Sequence, residues 1–169
     1  MYIAVIGPES SGKSELSEQL SVKLEIPLVK EFAREYLEQL EGEYSESDLN
    51  RIAKGQFLAC RRADTGSSYV CDTEILTIKI WSKEKYQQVD PDILDLMDEL
   101  KIDLYLLCYP DLPWKEDPLR ESPLLQDRMR LFSRYVRELN RMNKPFRVIR
   151  GMASDRLELA IKEVHSFFA

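Results

Sequence analysis

Short apolar runs alternate with longer segments whose apolar residues recur every three or four positions, and that alternation predicts a parallel sheet wrapped by helices. The runs Tyr2 to Ile6, Leu28 to Glu31, Ser68 to Cys71, Asp103 to Cys108 and Phe146 to Ile149 read as five strands. Leu16, Leu20 and Leu24 keep helical spacing directly after the first of them. Leu49, Ile52, Ala53, Gln56, Phe57 and Cys60 fall at i, i+3, i+4, i+7, i+8 and i+11, a helix laying one face on a core, with Asp48 or Ser47 as its expected cap. A longer helix is predicted from about Ser122 to Met142 with Leu125, Phe132, Tyr135, Val136 and Leu139 inward, and a last one carries Leu157, Ala160, Ile161, Val164 and Phe168. The expected fold class is α/β: a five-stranded parallel sheet with helices on both faces, forming one domain over residues 1–169.

The first strand leads into Gly7-Pro8-Glu9-Ser10-Ser11-Gly12-Lys13-Ser14, which satisfies G-x-x-x-x-G-K-[ST] in the strand-loop-helix context the motif requires. Two glycines let the backbone curl so that several amide N–H groups converge on phosphate oxygens, and the positive end of the following helix adds to the field. Lys13 is placed to reach the β and γ phosphates of a nucleotide, and the Ser14 hydroxyl to ligate Mg²⁺. ATP and Mg²⁺ are the implied cofactors, and the fold expectation narrows to a P-loop NTPase.

Composition changes this picture little. The chain is 169 residues long with 44% apolar content, and its net charge of −6 argues against broad nucleic-acid binding and for a discrete basic pocket. Cys60, Cys71 and Cys108 are odd in number and widely spaced, which suggests neither a disulfide framework nor a zinc site and fits a reducing cytoplasm. The phosphate loop begins so early that no signal peptide is expected, and no apolar run approaches the about 18 residues that cross a membrane.

In an open parallel sheet the ligand lies beyond the carboxyl ends of the strands, so the polar residues ending each run are the candidates. Strand two ends in Glu31, strand three in Asp72-Thr73-Glu74, and strand five at Arg150-Gly151, where Gly151 joins the nucleotide-binding set. Asp72, closing Tyr69-Val70-Cys71, is placed to hold Mg²⁺ together with Ser14, partly through water; its alternative role is to cap the helix beginning near Ile75. Glu31 is placed to accept a proton from an acceptor hydroxyl, or else is a solvated acid at a helix start. Arg34 lies beside it, and Tyr36 either presents its ring to a flat substrate or belongs to the core.

The segment after strand four, with Pro110, Pro113 and Pro118, reads as a lid at about residues 109–128. Arg120 is its first candidate for stabilising a transferring phosphoryl group. Arg128 is the second, because its spacing from Leu125, Phe132 and Tyr135 puts it on the buried face of its helix; the alternative is a salt bridge to Asp117, Glu121 or Asp127. Trp114 either stacks on a ring or anchors the loop. His165, in the last helix, is expected to be non-catalytic.

Six segments together resemble a known family. GPESSGKS, EFAREYL, DLNRIAKGQ, CDTE, DLYLLCYPDLPWKEDPLRES and VIRG, in this order, are similar to the ribosylnicotinamide kinase domains of the NadR type and their stand-alone relatives. The resemblance spans nearly the whole chain and implies a nucleoside-kinase-like fold that moves the γ-phosphate of ATP to the 5′-hydroxyl of nicotinamide riboside. It also implies site roles for the phosphate loop, Asp72, Trp114 and Arg120, and a small-molecule partner. A nucleotide-dependent switch acting on a protein partner is the competing expectation.

Overall fold

The computed structural model describes residues 1–40, 43–66 and 68–169. Five strands pair in the order β2-β3-β1-β4-β5, all parallel: β1 (Tyr2–Ile6), β2 (Leu28–Val29), β3 (Tyr69–Asp72), β4 (Leu104–Cys108) and β5 (Phe146–Ile149). β1 lies between β3 and β4, so the chain winds first to one side of it and later to the other. The loop after β1 therefore opens at the topological switch point, where adjacent crossovers diverge and leave a crevice.

Helices α1 (Lys13–Leu24) and α7 (Ala153–Phe168) cover one face, over Ile3, Val5, Val70, Leu104 and Leu106. The helices α2 (Phe32–Gln39), α3 (Glu46–Ala63), α4 (Ile75–Tyr86), α5 (Pro91–Glu99) and α6 (Leu125–Arg141) cover the other, over Ala4, Ile6, Cys71, Tyr105 and Leu107. Alternate residues of β1 thus serve opposite cores, as a strand buried on both sides requires. The sheet interior is closed to water: Ile3, Ala4, Val5 and Ile6 are all fully buried.

Several boundaries differ from the periodicity reading for identifiable reasons. β2 keeps only two residues because it is an edge strand that turns into α2 at Glu31. α3 is capped not by Asp48 or Ser47 but by Ser45, with Asp48 at the third helical position closing a capping box. α6 starts at Leu125, which is exposed rather than inward, and at the C-terminus Phe168 is exposed while Phe167 packs on the core. The short α5 was not expected. Its signal was an Asp90 cap followed by Pro91 in the first turn, with Ile93 and Met97 as the buried pair.

Candidate active site

The phosphate loop is held by the sheet beneath it. Gly7 has φ 142°, and a Cβ there would lie 2.7 Å from the Cys108 carbonyl oxygen at the end of β4, so neither a side chain nor an ordinary conformation fits. The Ser11 hydroxyl donates to the Pro8 carbonyl at 2.6 Å and closes the loop on itself. Lys13 opens α1 and donates its ammonium to the same carbonyl at 2.9 Å, a local contact that a phosphate can replace.

Neither strand-end acid caps the helix that follows it, which removes the alternative role of Asp72. The first amide of α2, at Phe32, donates to Gln56 Oε1 of α3 at 2.8 Å, so Glu31 makes no cap bond and its carboxylate faces the cavity. α4 is capped by Glu74, whose Oε1 accepts from the Leu76 amide at 2.9 Å, so Asp72 is not a cap. Between them Thr73 takes φ 66°, an unusual conformation for a β-branched residue, costing about 1–3 kcal/mol, that turns the chain sharply off the end of β3.

Asp72 is buried, and its Oδ1 has no hydrogen-bond partner. Burial pushes its carboxyl above the ordinary range, opposed by the Ser14 hydroxyl and the Lys13 ammonium. An unpartnered carboxylate oxygen beside a serine hydroxyl at the base of a phosphate loop is a fitting donor pair for a magnesium ion, which takes one or two protein oxygens and fills the rest of its shell with water and phosphate. Glu31 is likewise raised, first by burial and then by the Asp72 charge, while Lys13, Arg34 and Arg120 pull it down. Residues dispersed over about two-thirds of the sequence thus share one electrostatic environment.

The segment from Tyr109 to Leu124 lies across the phosphate loop. Arg120 Nη1 donates to Ser10 Oγ at 2.9 Å and also to the Lys115 carbonyl. Glu9 accepts from the amides of Glu121 at 3.1 Å and Ser122 at 2.8 Å. Arg34 of α2 pairs with Asp117 at 3.0 Å, tying the Glu31 side of the cavity to the same segment. Arg128 is buried but makes no ion pair with Asp117, Glu121 or Asp127. It donates to the Leu112 carbonyl at 3.2 Å instead. Its guanidinium and that of Arg120 lie 5.7 and 5.9 Å from the Trp114 ring centroid, so the indole is a shared platform for both cations.

A single cavity of about 710 Å³ is bounded by the phosphate loop, Glu31, Arg34 and Arg120, and extends to Leu37, Ile80, Trp81, Leu119, Leu131 and Tyr135. Asp72, Tyr36, Trp114, Arg128 and Gly151 stand outside its lining. Tyr36 gives its hydroxyl to Asp48 at 2.8 Å, Trp114 is occupied by its two cations, and the Gly151 amide donates to Asp111 at 2.9 Å. His165 is exposed near the C-terminal end of α7 and is not part of the cavity lining.

Sequence reasoning missed two parts of this site. Trp81 lines the apolar end of the cavity, with its indole N–H donating to Tyr44 at 2.6 Å and the rings edge-on at 4.8 Å. Arg156 of α7 is buried and bonds the carbonyls of Ser11 at 2.8 Å, Gly151 at 3.1 Å and Tyr109 at 3.3 Å, together with Asp111. One guanidinium thereby joins the phosphate loop to the ends of β4 and β5. The available signal was its place four before Ala160 and eight before Val164, on the inward stripe of the last helix.

A sequence profile of the AAA domain family matches residues 2–156. Over 150 residues the chain is 26% identical to the trifunctional NAD biosynthesis/regulator protein NadR of Salmonella typhimurium, covering 85% of this chain and 37% of that protein. The chain therefore spans little more than a third of that relative. A crystal structure of NadR in complex with NAD and AMP-PNP superposes with a TM-score of 0.81 at 21% identity, over 98% of this chain and 49% of the other. For NadR in complex with NR the values are 0.76, 23%, 98% and 51%. Deoxyadenosine kinase from M. mycoides with bound dCTP gives 0.63 at 16% identity, over 98% of this chain and all (100%) of that one. These likenesses establish the fold as that of P-loop nucleoside and nucleotide kinases.

Proposed function

Because the chain belongs to the AAA domain family over residues 2–156, we propose that it is a P-loop phosphotransferase that moves the γ-phosphate of ATP to the 5′-hydroxyl of nicotinamide riboside, giving nicotinamide mononucleotide. The observation that carries this reading is the continuity of one cavity from the phosphate loop, past Glu31, to a chamber walled by Trp81, Ile80 and Tyr135 with Glu84 and Arg130 beside them. A hydrolytic switch needs room for water beside the γ-phosphate. This chamber has room for a flat organic acceptor. The NadR structure with NR and the deoxyadenosine kinase supply nucleoside precedents on the same fold.

In this reading Gly7, Pro8, Glu9, Ser10, Ser11, Gly12, Lys13 and Ser14 cradle the phosphates, while Gly151, bonded to Asp111 outside the cavity, braces the loop through Arg156. Lys13 leaves the Pro8 carbonyl for the phosphates and follows the charge as it moves to the leaving oxygen. Ser14 and Asp72 are the residues that would hold Mg²⁺, which neutralises phosphate charge when bound. The acceptor oxygen bonds to the γ-phosphorus as the bond to the β-phosphate oxygen breaks, its proton passes to a carboxylate, and ADP leaves. Glu31 and Asp72 are both raised toward neutrality, as a general base requires, and Glu31 alone of the two lines the cavity. Arg120, steadied with Arg128 by Trp114, supplies the fork that grips phosphoryl oxygens. Arg34 lines the acceptor side of the cavity, and Tyr36, held by Asp48 outside the lining, gives that side indirect support only.

The residues act within one domain, 1–169, whose lid at about 109–128 closes the cavity. Among the described residues no helix is long and apolar enough to cross a membrane, and three buried free thiols suit a reducing cytoplasm. The test is a panel of nucleosides incubated with MgATP and the protein, with product mass as readout. Nicotinamide riboside should gain one phosphate fastest. Tight ATP binding with no phosphorylated nucleoside would replace the kinase reading with the switch.

A further inference from the structure

Behind the acceptor chamber, between α4, α5 and α6, lies a second cavity of about 540 Å³. Lys79 and Lys83 enter it from α4, one turn apart, and Arg134, Arg137 and Arg141 from one face of α6. Glu138 is the one carboxylate in its lining, and Ile80, Val89 and Leu94 supply an apolar wall. In a chain of net charge −6 this concentration of cations runs against the whole.

The neighbouring acids do not balance it. Glu138 takes Lys79, which is nearly buried, and also Arg141 at 3.0 Å, while Arg134 turns to Glu84. Lys83 rests on the Gln87 carbonyl at 2.6 Å and Arg137 on its own helix at the Ser133 carbonyl, 3.4 Å away. Among the described residues no carboxylate lies within ion-pair distance of either. Converging cations repel one another unless an anion is shared between them. Arginine forks with lysine ammoniums over a partly apolar wall match a phosphate carried on an organic body.

We propose that this cavity is a second ligand site, taking an organic phosphate ester whose phosphate engages Lys83 and Arg137 and whose body covers Val89 and Leu94. The site is wired to the first cavity. Ile80 lines both, and Glu84 lines the acceptor chamber while pairing with Arg130 there and Arg134 behind. A phosphate that draws Arg134 away leaves Glu84 more negative beside the acceptor, so occupancy changes acceptor affinity more than ATP affinity. This coupling rests on the kinase reading; the binding does not.

The binding test is a methyl NMR titration of the full chain with AMP and, separately, inorganic phosphate. Val89 and Leu94 report on the second cavity and Leu112 on the phosphate-loop side. AMP should shift Val89 and Leu94 at lower concentration than inorganic phosphate does. In the Lys83→Ala/Arg137→Ala variant, both of whose sites are exposed, their midpoint should rise at least about tenfold while Leu112 titrates as before. Silent Val89 and Leu94 signals, or a midpoint unchanged in the variant, overturn the site; equal midpoints for the two anions overturn its assignment to an ester. In steady-state assays AMP should alter acceptor KM in the native enzyme and lose that component in the variant. Identical AMP effects in both would remove the coupling, and a protein that phosphorylates nothing would sink the kinase reading while leaving the methyl titration to judge the site.

Discussion

Glu74 offers a test of the electrostatic reasoning that is independent of any substrate. Its carboxyl is 1% exposed and caps α4, and burial raises it from an ordinary 4.5 to about 7, against the lowering effect of the Leu76 and Ile75 amides. The folded chain therefore holds this proton more tightly than the unfolded chain. Stability from the group is complete below pH 4.5 and falls as pH rises through 7. A difference of about 2.5 units at about 1.36 kcal/mol each amounts to about 3 kcal/mol lost between pH 4.5 and 8. Glu74→Gln keeps an acceptor for the Leu76 amide but never ionises. Urea unfolding of both proteins at pH 5, 6, 7 and 8 should give a variant more stable by about 1 kcal/mol or less at pH 5 and by about 3 kcal/mol at pH 8. Other titrating groups cancel in the difference. Stability curves that run parallel across this range would show that Glu74 is solvated or paired, and that its burial is no guide to its charge.

Four other substitutions probe the catalytic assignments. Lys13→Ala should lower turnover by orders of magnitude with little change in unfolding midpoint, and near-normal turnover at saturating ATP would strip the loop of its role. Glu31→Gln should leave MgATP affinity intact, depress kcat and alter the acidic limb of the pH profile, which the raised carboxyl places above the usual carboxylate range; an unchanged kcat would move the base to Asp72. Arg120→Lys should lose more kcat than ATP affinity, because an ammonium cannot bridge Ser10, Lys115 and a phosphate as a fork does, and wild-type kinetics would make the lid contact static packing. Arg156→Lys cannot span the carbonyls of Ser11, Gly151 and Tyr109, so it should cost about 2–3 kcal/mol in urea unfolding and raise KM for ATP more than for the acceptor, whereas equal changes in both KM values would leave it a purely structural strut.

The sheet, the phosphate loop and most helices were legible in the sequence because their signals are local. Alternation, helical spacing and a glycine pair depend on residues within a few positions of one another, and the apolar runs that became β1, β4 and β5 needed no partner to be recognised. The strand-end rule likewise put Glu31 and Asp72 at one edge of the sheet, since the carboxyl ends of parallel strands meet wherever the strands pair. What only the tertiary structure decided were contacts between distant segments. Gln56 relieves Glu31 of capping from 25 residues downstream, and Arg156 reaches the phosphate loop across 145 positions of chain. Trp81 looks in sequence like one more aromatic on a helix, and becomes a chamber wall only when α4 is laid beside α6. The five cations of the second cavity read as an ordinary solvated helix face until two helices bring them together. A hydrogen bond or an ion pair depends on three-dimensional distance, and a sequence states that distance only for neighbours along the chain.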